Sequence, residues 1–244
     1  MSIWGKIIGG VGGLAIGGPI GALIGVAVGS VVDTTVQAVL DPESKRQITF
    51  TMGVIALSAK MAKADGHVTR EEVDAFKRVF QVPENEVANV GRFFDLARQS
   101  TAGFQSYAKQ VSDLLSDSPE VLEDLLEGLF HIAEADGHVH PMELAFLQEV
   151  ASIFGFKGQA WEDIRARHVG PDAKNPYTIL GVNHGVSDKE LHKHYKSLVK
   201  EHHPDRLMAE GVPSDLISVA TDRLARINHA YDEIVKSRGK KQEG

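Results

Sequence analysis

The chain contains no cysteine, which excludes disulfides, thiolate zinc sites, iron–sulfur clusters and cysteine nucleophiles. Basic charge is also in deficit. The net charge is −7, and residues 41–172 carry 22 acidic against 13 basic side chains, so that region lacks the positive footprint a nucleic-acid surface needs. Residues 175–241 differ, with 9 acidic against 11 basic, which leaves room for a local basic face there. At 244 residues, 43% hydrophobic and 24% charged, the composition is that of a folded protein of one large domain or two small ones.

From Ile7 to Val32 charge is missing altogether. A helix of that length would reach roughly 39 Å, beyond the roughly 30 Å hydrocarbon core of a bilayer. Gly9, Gly13, Gly17, Gly21, Gly25 and Gly29 recur at every fourth position, a glycine zipper along which backbones can approach closely. Residues 1–35 are therefore expected to be a membrane anchor that self-associates through Gly13, Gly17, Gly21 and Gly25. Three other arrangements compete: a signal peptide, a hairpin broken at Gly17-Gly18-Pro19, and packing within a soluble chain, against which so many glycines weigh.

Residues 42–158 read as a helical bundle without alternating strands, and they hold an internal duplication. Ala64-Asp65-Gly66-His67-Val68-Thr69-Arg70-Glu71-Glu72 is echoed by Ala135-Asp136-Gly137-His138-Val139-His140-Pro141-Met142-Glu143. Each copy has the form of a turn between helices. The glycine suits a left-handed helix end, Thr69 with Glu72 forms a capping box, and Pro141 takes the first helical position with Glu143 at the third. Asp65, Glu72, Asp136 and Glu143 serve as turn caps or, if the two turns converge, as oxygen ligands for a divalent metal. An EF-hand is excluded, because Met61, Lys63 and Ile132 stand where its loop needs oxygen ligands.

Residues 159–174 are expected to be a linker, and 239–244 a charged tail. Between them, a short helix from Asn175 stops at Gly181, and Ser187 with Glu190 forms a capping box for a second. That second helix carries Leu191, Tyr195, Leu198 and His202 on one face and Lys193, Lys196 and Lys200 on the other. His203-Pro204-Asp205 follows, where the proline ends the helix and displays an imidazole and a carboxylate together at a tip. A third helix, from about 214 to 236, faces Leu216, Ala220, Leu224, Ile227, Tyr231 and Ile234 inward. No nucleophile, orienting group or oxyanion donor accompanies His203 and Asp205, which argues against an independent enzyme.

The opening Tyr177-Thr178-Ile179-Leu180-Gly181-Val182, the basic second helix, the His-Pro-Asp tip and Asn228-His229-Ala230-Tyr231 together resemble the J domain over residues 175–238. The resemblance implies that His203, Pro204 and Asp205 trigger ATP hydrolysis in a DnaK-type chaperone, which docks on Tyr195, Lys193, Lys196 and Lys200. Ser197 and Glu201 depart from it, standing where basic residues are frequent. The duplicated turns resemble the TerB-like helical domain, and the whole order resembles the membrane-anchored DnaJ-like co-chaperones of the DjlA type. The expected fold is thus all-α: an apolar glycine-zipper helix, a TerB-like bundle and a J-domain helical hairpin. The expected function is a co-chaperone at the cytoplasmic face of a bacterial inner membrane, with a soluble cytoplasmic protein as the other location. The other function is a membrane-associated metal-sensing or stress-response scaffold whose J domain is weak or inactive.

Overall fold

The computed structural model describes residues 17–28, 42–64, 69–99, 103–209, 212 and 217–242. Those residues form twelve α-helices and one 3-10 turn, with no strand among them. The helices are α1 (Gly18–Val28), α2 (Pro42–Met61), α3 (Arg70–Val79), α4 (Val87–Gln99), α5 (Phe104–Leu114), α6 (Pro119–Ala133), α7 (Pro141–Ile153), α8 (Gln159–Ala166), α9 (Pro176–Leu180), α10 (Asp188–Glu201), α11 (Pro204–Ala209) and α12 (Ser218–Gln242).

The first eight build one bundle around α2, which packs against α1, α4, α5, α6 and α7. Between Ile48 and Ala59 every residue of α2 is buried, as a helix enclosed on all sides requires. Its close approach to α5 depends on Gly53, where a side-chain carbon would collide with Val111. Thr51 and Ser58 are buried with the apolar residues, and the Thr51 hydroxyl donates back to the Gln47 carbonyl at 2.8 Å.

Of the apolar run from 7 to 32, residues 7–16 and 29–32 lie outside the described ones, and the described helix begins at Gly18. Gly17 and Gly18 both lie in the left-handed region (φ +68° and +62°), and the helix starts there. Gln110 of α5 closes that start, accepting from the Ile20 amide and donating to the Gly17 carbonyl, each at 3.1 Å. Ile20, Gly21, Leu23 and Ile24 are buried against α2, α4 and α5, so the packing within the chain that the glycines weighed against is what α1 does. Of the expected zipper positions, Gly13 lies outside the described residues, Gly17 precedes the helix, Gly21 is buried and Gly25 is exposed. Among the described residues no helix is long and apolar enough to cross a membrane.

Two further differences concern the second half. The stretch expected as a linker holds α8, anchored by buried Trp161, which stacks 5.9 Å from Phe130, and by Ile164. Pro204, expected only to end α10, also starts the short helix α11. Beyond it, α9, α10 and α12 form the J domain, with α9 and α10 lying on α12 around Leu180, Leu191, Ile227, Ala230 and Ile234.

Candidate functional site

Helix α10 is started by the expected capping box: the Ser187 hydroxyl accepts from the Glu190 amide, and the Glu190 carboxylate accepts from the Ser187 amide and hydroxyl. Those hydrogen bonds lower the pKa of Glu190. Lys193, Lys196 and Lys200 are all exposed, in a row down the outer face. Tyr195 lies half-buried on the inner face, stacked on Tyr231 at 4.0 Å, and its hydroxyl donates to Asn228 at 3.0 Å. The two departures from the basic pattern bond to each other, with the Ser197 hydroxyl donating to Glu201 at 2.7 Å.

At the tip, the His203 and Asp205 side chains are 48% and 79% exposed, so both are open to a partner. The Asp205 amide donates to His203 Nδ1 at 3.2 Å, which orients the imidazole toward the carboxylate 3.7 Å away. The residues on either side behave differently. His202 is buried with its Nδ1 3.0 Å from Asp124 of α6, and Arg206 donates to Glu120 of the same helix at 2.8 Å. The His202 Nδ1 lacks the alignment of a hydrogen bond, so it meets Asp124 as a close buried contact.

Farther along α6 an ion-pair network joins the bundle to the J domain. Arg223 of α12 donates to Glu123 at 2.6 Å and to Asp124 at 3.0 Å. Arg167 binds Glu123 and Glu127, and Arg226 approaches Glu127 at 3.6 Å. His168 is held between Glu127 at 2.7 Å and Glu134 at 3.0 Å, with its ring stacked on Phe130. Burial by itself would raise the pKa of Glu127, but His168, Arg167 and Arg223 hold it well below the usual carboxylate range. Burial likewise opposes charge on His168, and Glu127 and Glu134 override it, so the imidazole pKa is raised. His131 is pushed down by burial and by its neighbour His168.

His131, Glu134 and His168 place donor atoms within 4.8 Å of one another. Both His168 nitrogens already face carboxylates, and Arg226 stands 3.4 Å from the His131 ring, so ion pairing accounts for the cluster. Of the four carboxylates read as turn caps or metal ligands, the three described ones accept backbone amides at the turns. Glu72 accepts from the Thr69 amide at 2.6 Å, Glu143 from the His140 amide at 2.9 Å, and Asp136 from the His138 amide at 3.2 Å. His140 caps α7 through its ring nitrogen, and Asp65 lies outside the described residues.

Family models match the chain in three consecutive pieces. They are the co-chaperone DjlA transmembrane domain over residues 1–47, the tellurite resistance protein TerB over 51–166 and the DnaJ domain over 175–243. The co-chaperone protein DjlA of Vibrio cholerae is 29% identical over 233 residues, covering 81% of each chain. Those of Coxiella burnetii and Aliivibrio fischeri are 29% and 26% identical over 215 and 230 residues, covering 80% and 81% of each chain. These three matches in this order, with relatives alike over four-fifths of both chains, support a co-chaperone of the DjlA type. No solved structure matches the chain. As a DjlA-type protein it is a J-domain co-chaperone and so a regulator of another protein's activity, and its N-terminal segment is similar to the transmembrane domain of such co-chaperones.

What reasoning from the sequence missed in this DjlA-type chain is the acid–base seam on α6. Glu120, Glu123, Asp124, Glu127 and Glu134 follow helical spacing on one face, and Arg223 with Arg226 does the same on α12. That periodicity was the available signal, but a charged face of this kind reads equally as solvated surface.

Proposed function

We propose that the chain recruits a DnaK-type chaperone and stimulates its ATPase at the cytoplasmic face of a bacterial inner membrane. The observation that carries this reading is the exposed tip of His203, Pro204 and Asp205 beside the open row of Lys193, Lys196 and Lys200. A row of lysines suits an acidic docking surface, and the tip then reaches past that surface to act on the partner. The catalytic chemistry belongs to the chaperone. An ATP-using partner also orients the chain, since ATP is available on the cytoplasmic side.

The test is steady-state ATP hydrolysis by a bacterial DnaK titrated with the full chain and with its His203→Gln variant. Stimulation by the wild type that the variant loses is the expected outcome. Equal activity of the two proteins would remove the tip from the mechanism, and no stimulation by either would refute the reading.

A further inference from the structure

The J domain does not hold its own tip. Its private core of Leu180, Leu191, Ile227, Ala230 and Ile234 lies toward the opposite end. Leu207, Val212, Ile217 and Ala220, which follow the tip, belong instead to the core of the helical bundle. Leu207, Val212 and Ala220 meet Phe50, Phe80, Val121 and Leu125 there, and the Ser218 hydroxyl donates to the Val79 carbonyl at 2.5 Å. The chain therefore enters and leaves the tip through the bundle.

The two residues that bracket the tripeptide are gripped by one helix. His202 and Arg206 are four residues apart, and their partners Asp124 and Glu120 are also four apart, one above the other on α6. Asp124 is itself fixed, because buried Arg223 donates at 3.0 Å to the same carboxylate oxygen, Oδ1, that faces His202. Three residues pinned at both ends keep far fewer backbone conformations than a free loop, so ordering is complete before a partner arrives. The grip leaves the working side chains open, since His203 and Asp205 remain in solvent. It restrains the tip without covering it.

We infer that Asp124 and Glu120 of the helical bundle are positioning residues for the His-Pro-Asp tip, so that stimulation of a DnaK-type chaperone depends on a bundle that never touches the chaperone's nucleotide. The inference rests on the function proposed above. It assigns the bundle a part in the stimulating step, distinct from the docking lysines.

The test uses the full chain with Glu120→Gln and Asp124→Asn, read by DnaK ATPase titration and by hydrogen exchange of backbone amides 202–209. In Glu120→Gln, which loses the charge-assisted hydrogen bond to Arg206, maximal stimulation should fall about tenfold, and in Asp124→Asn it should also fall, while the half-saturating concentration stays the same in both. Exchange of the tip should quicken in the same variants. Glu120→Gln guards against misfolding, because its bond with Arg206 sits at the partly exposed rim. Unchanged or higher maximal stimulation in both folded variants, or a change in half-saturation alone, would overturn the inference. If the wild type fails to stimulate, the proposed function falls and exchange decides the rest: quicker exchange keeps the restraint on the tip, and unchanged exchange removes it.

Discussion

The two ends of the J domain are held by different physics. At one end a few apolar side chains from α9, α10 and α12 close on each other, and Arg238 ties the rim by donating to Asp188 at 2.6 Å and to the Val186 carbonyl at 2.9 Å. At the tip end the apolar residues have joined the bundle, and a seam of charges faces the same way. There Glu123, Asp124, Glu127 and Glu134 meet Arg167, Arg223, Arg226 and His168, whose pKa its two glutamates raise. Apolar burial supplies attraction without direction, whereas a buried charge tolerates only the arrangement that pairs it. The comparison teaches that the orientation of the J domain on the bundle is specified mainly by ion pairs.

The strongest way to break that comparison is Arg223→Ala. It takes from Asp124 its arginine hydrogen bond and leaves Glu123 with Arg167 alone in a buried seam, and should lower the unfolding free energy by about 3–5 kcal/mol in urea titrations of the full chain. A loss within about 0.5 kcal/mol, the size of an ordinary surface change, would show the seam to be wet and the pairs dispensable.

Acidity gives a subtler probe. The folded state raises the pKa of His168 above its unfolded value, so its stabilisation is complete below about pH 6.5 and is lost as pH rises through the folded value. Glu127 has the opposite sign: its contribution is present above the ordinary carboxylate range and is lost as pH falls through its lowered value. His131, kept neutral by burial and His168, contributes only to losses on the acid side of its unfolded pKa. As pH rises above about 6.5, then, the melting temperature of the wild type should fall, and His168→Gln should flatten that fall. Parallel curves for the two proteins would mean that His168 is not charged in the seam.

The smallest effect on stability is expected at the outer face of α10. Replacing Lys193, Lys196 and Lys200 together by Ala should leave the melting curve almost unchanged, because all three side chains are exposed and none is part of the seam. The same protein should need a higher concentration to half-saturate DnaK stimulation, while reaching a similar maximum. That outcome would sharpen the division between a docking face, where charge is solvated, and a positioning seam, where it is buried.

Much of this molecule is legible in local sequence. The all-α character follows from periodicity, and the Thr69–Glu72 and Ser187–Glu190 boxes and the N1 proline at 141 form as their spacing implies. Tyr195 and Leu191 face inward for the same reason. His202 illustrates the limit: its spacing put it on the inner stripe of α10, which it occupies, yet its partner is Asp124 of a different domain. Gly17 and Gly18 illustrate it again, because with their left-handed conformations the described helix starts at Gly18 and packs on the bundle.

By itself, then, the sequence determined the all-α character, the capped starts of α3, α7 and α10, and that a histidine and an aspartate stand together at a proline-made tip. These depend on neighbours within one or two turns. Only the tertiary structure decided which charges are buried, since Glu123 and Arg223 are 100 residues apart and Glu127 and His168 are 41 apart. A glutamate on a helix face looks the same whether water or an arginine lies opposite, and the cost of leaving it buried and unpaired is incurred only when the distant partner is in place or missing.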